Sequence, residues 1–172
     1  MNIRPSKHED LPQLMRIYEH ARQFMSEHGN GNQWINGYPS EELIASEIEK
    51  GHSFVCENET GEIVATFCYI EGVDPTYLKI YDGAWLNDEP YATVHRMASS
   101  GKRKGVAEAC FQWCFRQCRN IRVDTHHDNI VMQNIAKKLG FVRCGTIIVA
   151  NGTPRIAYQR VGNEATQRDI QK

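Results

Sequence analysis

Apolar residues follow two spacings along this chain, one typical of strands and one typical of helices. Runs rich in β-branched and aromatic residues occupy positions 53–57, 62–70 and 91–98, and they predict buried strands. The first two runs are separated by Asn58-Glu59-Thr60-Gly61, a sequence that favours a tight turn. Residues 53–70 are therefore predicted to form a hairpin.

Helical spacing is clearest from Leu11 onward, where apolar residues recur every three or four positions. We expect this helix to begin at an Asp10 N-cap and to end at about Ser26. A second helix is predicted to follow a Ser40 N-cap and to end near Gly51, because acidic residues fill its first turn. Both helices have one apolar face, which indicates that they pack on a sheet.

The C-terminal part continues the alternation of helices and strands. Helices are predicted to follow Gly105 and a cap formed by Asp128 or Asn129. Asn151-Gly152 is a type I′ hairpin signal between the last strands. The strands are predicted at 121–125, 141–145, 146–150 and 154–160. The whole pattern indicates a single α/β domain over residues 1–162, followed by a polar tail at 163–172.

Charge and length exclude several classes of protein. The 172 residues have a net charge of −1, so the whole molecule has no electrostatic reason to bind nucleic acid or an anionic membrane. No apolar run approaches the length of a membrane span, and the first residues are polar. We therefore expect a cytoplasmic protein that binds neither nucleic acid nor membrane.

The cysteines do not predict a metal centre. None of the six is part of a Cys-x-x-Cys pair or of a cluster with histidine. Cys110, Cys114 and Cys118 recur every four residues, but one helix face cannot surround a tetrahedral ion. The expected metal set is none, and these residues are interpreted as small apolar side chains.

A basic glycine loop, Ser99 to Ala107, joins the strand at 91–98 to the following helix. A helix that begins at such a loop directs unpaired backbone N–H groups forward, and its dipole favours anions there. Gly105 permits close approach of a phosphate and Ala107 leaves the first turn unshielded. Lys102, Arg103 and Lys104 would add charged donors, although a solvated turn explains a basic triplet equally well when it is considered alone.

Two segments together resemble a known family. Lys102-x-x-Gly105-x-Ala107 is similar to the diphosphate-binding motif of the GCN5-related N-acetyltransferase (GNAT) superfamily, and the strand, Asn129, helix, Gly140-Phe141 order resembles its second cofactor-side segment. The resemblance covers most of the chain. It implies a single-domain α/β GNAT-like fold, with a central mixed, mostly antiparallel sheet of six to seven strands and about four flanking helices.

The resemblance also implies acetyl-CoA as cofactor and assigns its contacts. Backbone groups of His95, Arg96 and Met97 would hydrogen-bond to the pantetheine arm, and Asn129 would contact the same arm. The diphosphate would be bound by the loop. Its contacts would be Lys102, Arg103, Lys104, Gly105, Val106 and Ala107.

The implied reaction is direct attack of an amine on the thioester, which requires a base for the ammonium proton. His95 is the first candidate and His126, at the end of the next strand, is the second. A purely structural histidine is the alternative in both cases. Many members carry a tyrosine four residues before the glycine of Gly-Phe as the acid for the leaving thiolate, but this position is Ala136.

Aromatic residues in two polar segments are candidates for the acceptor pocket. Residues 29–39 cannot continue a helix, and the connection 71–90 is long for a compact domain. Packing of these rings against the core is the alternative. The candidates are Trp34, Tyr38, Tyr77, Tyr81 and Trp85.

Three functions therefore compete. The first is an acetyl-CoA-dependent N-acetyltransferase that acts on a primary amine of a small molecule or peptide. The second is a catalytically weak acyl-CoA-binding sensor, suggested by Ala136. The third, a nucleic-acid module, is disfavoured by the charge. We leave open a homodimer formed through the closing strands.

Overall fold

The computed structural model describes residues 1–163, and all but the first residue of the predicted 163–172 tail lie outside them. The chain forms two compact units. The first comprises Met1–Tyr69 with Val94–Trp113, and the second comprises Ile70–Thr93 with the chain from Cys114 onward. Among the described residues, no helix is both long and apolar enough to cross a bilayer.

The described chain contains seven strands and four α-helices. The strands are hydrogen-bonded in the order β1-β2-β3-β4-β5-β7-β6. Strands β4 and β5 pair in parallel, whereas β1-β2, β2-β3, β5-β7 and β6-β7 are antiparallel. The predicted α/β class with a mixed, mostly antiparallel sheet is confirmed. The elements are β1 Asn2–Pro5, α1 Leu11–Glu27, α2 Glu41–Glu49, β2 Ser53–Glu57, β3 Ile63–Glu71, β4 Ala92–Ser99, α3 Val106–Gln117, β5 Asn120–Thr125, α4 Ile130–Lys138, β6 Val142–Ile148 and β7 Pro154–Val161.

The first unit packs α1 and α2 on its strands. Leu14 and Tyr18 of α1 and Ile44 of α2 are completely buried with Val55 of β2. A second layer consists of rings around Trp113, which lies at centroid distances of 4.9, 5.9 and 5.6 Å from Phe54, Phe67 and Tyr69. Such ring clusters add favourable edge contacts to the burial of apolar area.

The second unit is organised around the connection between β3 and β4. Tyr77 and Tyr91 are buried with Ile147 and Ala157 of the last two strands. The connection approaches β6 so closely that a Cβ on Gly83 would lie 1.9 Å from the Cys144 carbonyl oxygen. Only glycine fits there, because any side chain would displace backbone.

The helix caps were predicted with mixed success. Ser40 caps α2 as expected, since its Oγ accepts from Leu43 N at 3.1 Å. Asp10 is the N-cap residue of α1 as predicted, but its side chain makes no capping hydrogen bond. A short 3-10 turn at His8–Asp10 precedes α1, so the Asp10 carboxylate faces backward, accepting from Lys7 N at 2.8 Å and pairing with Arg4 Nη1 at 2.8 Å.

The closing region also differs from the prediction. Two strands, β6 and β7, replace the three that were expected, because residues 142–148 form one strand with a register shift between Arg143 and Gly145. The β6-β7 turn is not type I′ either. That type requires positive φ at both central residues, and only Gly152 of the Asn151-Gly152 pair has one, at 81°.

All six cysteines are free thiols, and five of them are buried. Cys118 is partly exposed, and its Sγ lies 3.3 Å from the Asn120 carbonyl oxygen. Cys114 is enclosed, and burial raises the pKa of its thiol well above the ordinary range. The cysteines of the α3 region thus occupy apolar positions.

Candidate active site in the coenzyme loop and β4

The basic glycine loop leaves β4 through two serine turns. Ser99 Oγ accepts from Gly101 N at 3.1 Å and Ser100 Oγ accepts from Lys102 N at 3.4 Å. Gly101 has φ +76°, and a Cβ there would meet His20 Nε2 at 2.8 Å. Glycine at this point lets the chain reverse beside α1 and enter the next helix.

Beyond this turn the backbone donors have no acceptor. The N–H groups of residues 103–107 make no hydrogen bond within the part of the chain that the structure describes. Gly105 has φ +73°, and a Cβ on it would meet nothing within 4 Å. Open space thus lies before the α3 N-terminus, where unpaired N–H groups and the helix dipole favour an anion.

The basic side chains of the loop are partly neutralised. Lys102 pairs with Glu62, and Arg103 Nη2 lies 2.9 Å from Glu59 Oε1. The Arg103 guanidinium lowers the pKa of Glu59 to about 2. Lys104 forms no ion pair among the described residues. A bound diphosphate would therefore meet backbone donors and Lys104 first, and would compete with glutamates for the other two cations.

The three residues predicted on the pantetheine side form the middle of β4. His95, Arg96 and Met97 are each partly exposed. Arg96 has φ +55°, a left-handed conformation that is rare for a long side chain in a strand. Such strained backbone clusters at functional sites, because the surrounding structure must maintain it.

His126, the second candidate base, directly follows β5 and is 7% exposed. Its Nδ1 accepts from Asp128 N at 3.0 Å, so a neutral ring carries its proton on Nε2. Burial lowers the pKa of His126, which keeps the ring neutral. With the acceptor nitrogen already used, this geometry favours His95 over His126 as the base.

His126, His127 and Asp128 have potential ligand atoms within 4.8 Å of one another. They are consecutive residues, and the two imidazole rings stack at a centroid distance of 4.2 Å. The Nδ1 atom of His126 accepts the Asp128 N–H. These contacts account for the cluster as the turn that leads into α4.

The predicted acceptor aromatics separate into groups. In the first unit Trp34 contacts Tyr18 and Tyr38 edge-on, at centroid distances of 5.8 and 6.3 Å. Trp34 also packs against the core cluster of α1 and α2, whereas Tyr38 is 39% exposed. Tyr38 therefore has the more accessible ring of the two.

In the second unit Tyr77 is 1% exposed, and its hydroxyl donates to Asp124 Oδ2 at 2.6 Å. Trp85 donates from Nε1 to the Tyr77 carbonyl at 2.9 Å and stacks under the Arg122 guanidinium at 4.3 Å. Both rings are core contacts, so packing explains them without an acceptor. Tyr81 is 41% exposed and pairs through its backbone with β6.

Two residues near these rings had no functional role in the sequence interpretation. Tyr18 was assigned to the apolar face of α1, and Asp124 to a strand interior. A tyrosine on an otherwise aliphatic helix face and an acid inside a branched strand are the available signals, because each needs a buried polar partner. Asp124 has that partner in Tyr77.

Comparison with solved structures decides the family. An acetyltransferase of the GNAT family from Streptococcus agalactiae has a TM-score of 0.86 and 31% identity, covering 95% of this chain and 96% of that chain. The chain belongs to the GNAT family. It is an acetyltransferase by that membership, as the sequence resemblance predicted. No protein-family model and no curated protein matches the chain.

More distant GNAT structures share the fold alone. A putative acetyltransferase from Staphylococcus aureus has a TM-score of 0.68 at 24% identity, covering 94% of this chain and 99% of that chain. A GNAT-family acetyltransferase from Listeria monocytogenes has a TM-score of 0.71 at 17% identity, covering 93% and 94%. The architecture is therefore retained although most residues differ.

Two GNAT positions were predicted on the cofactor side of the last helix. Asn129 is the N-cap of α4, and its Oδ1 accepts from Met132 N at 3.0 Å. Ala136 is completely buried. The tyrosine that many GNAT members carry is therefore replaced by a core methyl group, and any proton for the leaving thiolate must come from another group or from water.

Proposed function

We propose that the protein transfers an acetyl group from acetyl-CoA to a primary amine of a small molecule or peptide. The observation that carries this proposal is the row of N–H groups at 103–107, which lack acceptors and face open space at Gly105. Peptide N–H groups at a helix start suit a diphosphate. We also retain the cytoplasm as the proposed location, a small-molecule or peptide amine as the proposed acceptor, and a homodimer as an open alternative.

The residues of the chain have separate tasks in this reaction. The loop would hold the diphosphate, and the backbone of residues 95–97 would align the coenzyme arm. When bound, acetyl-CoA supplies an acetyl thioester, from which the acetyl group passes to the amine nitrogen as the coenzyme thiolate leaves. His95 would accept the ammonium proton, because an alkylammonium with a pKa of about 10.4 is not a nucleophile at pH 7.

The test uses a matched pair of glycines in the first unit. Gly105 and Gly51 have φ of +73° and +74°, and a Cβ on either meets nothing within 4 Å. Gly105→Ala and Gly51→Ala should therefore lose similar stability, since both strain the backbone equally. Only Gly105→Ala would place a methyl group where the phosphates approach.

Calorimetry with coenzyme A measures the difference between the two variants. We expect the wild type and Gly51→Ala to bind with the same affinity and Gly105→Ala to bind at least about tenfold more weakly, which corresponds to about 1.4 kcal/mol. Equal affinity of all three proteins would remove the loop from the coenzyme site. Thiol release across a panel of amines then tests the transfer itself.

The sensor function remains the second candidate, because buried Ala136 offers no proton to a leaving thiolate. It predicts tight binding of acetyl-CoA with no thiol release for any amine. Thiol release above the rate in buffer, with formation of the N-acetyl product, would exclude it.

A further inference from the structure

The Arg96 side chain has no counter-ion among residues 1–163. Its Nε donates to the Tyr38 hydroxyl at 2.8 Å, while its Nη1 is buried and makes no hydrogen bond within the described chain. No carboxylate among the described residues pairs with this guanidinium. Burying part of a cation without a partner lowers the stability of the folded protein. Arg96 therefore indicates a role in binding a ligand rather than in stabilising the fold.

The groups around Arg96 are neutral. Tyr18 is 0% exposed, and its hydroxyl makes no hydrogen bond to any described residue. Burial raises the pKa of Tyr18 and that of Cys68, so both stay protonated at pH 7. Neither can supply the negative charge that the guanidinium lacks. Two unsatisfied buried polar atoms, Arg96 Nη1 and Tyr18 Oη, therefore belong to one cluster.

The loop between α1 and α2 forms the outer side of this cluster. The Tyr38 hydroxyl contacts Arg96, and its ring is 39% exposed. Trp34 touches both Tyr18 and Tyr38 edge-on. The cluster thus lies between α1 and aromatic rings, and Tyr38 and Arg96 are partly accessible to solvent.

The missing partner has a definite chemistry. A guanidinium presents parallel N–H donors that match the two oxygens of a carboxylate, and phenol hydroxyls donate to the same oxygens. Cations such as ammonium groups are excluded by the charge of Arg96. A neutral ligand would leave that charge unpaired.

We propose that Arg96, Tyr18 and Tyr38 form a subsite for a carboxylate of the acceptor, so that the acceptor is an amino acid or another amine that carries a carboxylate. The inference rests on the proposed function. The backbone of residues 95–97 is the proposed contact for the coenzyme arm, and an anion bound by the Arg96 side chain lies close to that arm. The left-handed conformation of Arg96 fixes the direction of its side chain.

The test compares acceptors that differ only in the carboxylate. L-methionine, L-phenylalanine and L-lysine are each paired with their amides, and acetyl transfer is followed by thiol release. We expect kcat/KM for at least one acid to exceed that of its amide by about 10- to 100-fold, because a charged hydrogen bond is lost in the amide. Arg96→Gln should abolish this preference through KM, and its affinity for coenzyme A is measured alongside because the Arg96 backbone is also a proposed coenzyme contact.

Tyr38→Phe is the companion variant, because Tyr38 is exposed and its substitution does not threaten folding. It should lower the preference for the acid by a smaller factor, about fivefold. Equal rates for acids and amides with the wild type, or a preference that survives in Arg96→Gln, would overturn the subsite. A loss of coenzyme affinity in Arg96→Gln, with no change in preference, would assign the arginine to coenzyme instead.

Calorimetry separates this proposal from the proposed function. If no acceptor is acetylated, the wild type and Arg96→Gln are titrated with the same acids and amides in the presence of coenzyme A. Binding of acids by the wild type alone supports the subsite even though transfer has failed. If the wild type does not bind the acids, the carboxylate subsite is overturned. If thiol is released with amides as fast as with acids, the subsite is overturned but the proposed acetyl transfer stands.

Discussion

At the scale of single residues, His95 is the proposed base. It lies on β4 immediately before Arg96, whose backbone is left-handed. His95→Gln should lower kcat/KM at pH 7 by about 10²- to 10⁴-fold, the usual contribution of a positioned base. The deficit should shrink as pH rises, because the amine then loses its proton without help. Rates of acetyl transfer between pH 6 and about 10 measure this.

His126→Gln is the control for that change, since Nδ1 of His126 already accepts a backbone N–H. We expect the shape of its pH profile to match that of the wild type. A pH profile unchanged in His95→Gln and altered in His126→Gln would reverse the two assignments.

Asp10 gives a second prediction for single residues. Its hydrogen bonds with Arg4 lower the pKa of the carboxyl from its ordinary value of 3.8. A lowered pKa adds stability that is fully present above the ordinary value and is lost as pH falls through the value in the folded protein. At pH 7 the wild type should therefore be more stable than Asp10→Asn by about 1 kcal/mol, and the gap should begin to narrow as pH falls below about 4.

Urea unfolding at several pH values gives this difference. Glu9→Gln is the matched control, because the neighbouring carboxylate is 75% exposed and lies 3.8 Å from Lys7, its only ion-pair partner in the described part of the chain. Its free energy of unfolding should stay close to that of the wild type at every pH. A gap for Asp10→Asn that does not narrow at all between pH 7 and pH 2 would show that the substitution removes shape rather than charge.

At the scale of elements, α2 depends on a cap that is visible in the sequence. Ser40→Ala should lower the free energy of unfolding by about 1 kcal/mol, because Leu43 N loses its acceptor. Ser46→Ala, inside the same helix, should be neutral or slightly stabilising because alanine favours a helix. Equal losses in urea unfolding for the two variants would contradict the capping role.

The elements also show what a single sequence can predict. Ser40, the 53–57 strand and the helix after Gly105 follow local rules, and each was predicted within a residue or two. Asp10 and the closing strands depend on distant partners instead. Arg4 draws the Asp10 carboxylate away from α1, and β7 holds residues 142–148 in one strand despite their glycine. Tertiary contacts of this kind leave little trace in local spacing.

The candidate site divides in the same way. The loop was predictable because glycine and helix-start chemistry are local, and its unpaired N–H groups are found at the predicted positions. The neutral surroundings of Arg96 were not predictable, because Tyr18, Cys68 and Tyr38 are separated in sequence by twenty to fifty residues and converge only in the fold. Tyr77 and Trp85 looked equally suited to a pocket and are core residues.

At the scale of the whole molecule, binding of coenzyme should raise the melting temperature. A ligand at about 100 times its Kd adds about 2.7 kcal/mol to the free energy of unfolding. For a chain of 172 residues this corresponds to a rise of roughly 5–10 °C. Differential scanning fluorimetry with coenzyme A should show this shift in the wild type and in Gly51→Ala.

Gly105→Ala should show a shift of about half that size, because a coenzyme bound tenfold more weakly adds only about 1.4 kcal/mol at the same concentration. A shift of equal size in all three proteins would mean that coenzyme A binds elsewhere. Raising the salt concentration should weaken the shift, since part of the attraction is between phosphates and exposed cations.

The burial of the cysteine thiols affects how a thiol-release assay of this protein is read. Five of the six sulfur atoms are out of reach of a reagent such as a disulfide dye, and Cys118 alone is partly accessible. In an intact sample the colour that develops with such a dye would come mainly from liberated coenzyme, after a small early contribution from that one cysteine. A later rise towards six equivalents of reacted thiol per protein would indicate that the protein is unfolding. One absorbance trace can therefore follow both turnover and the stability of the enzyme.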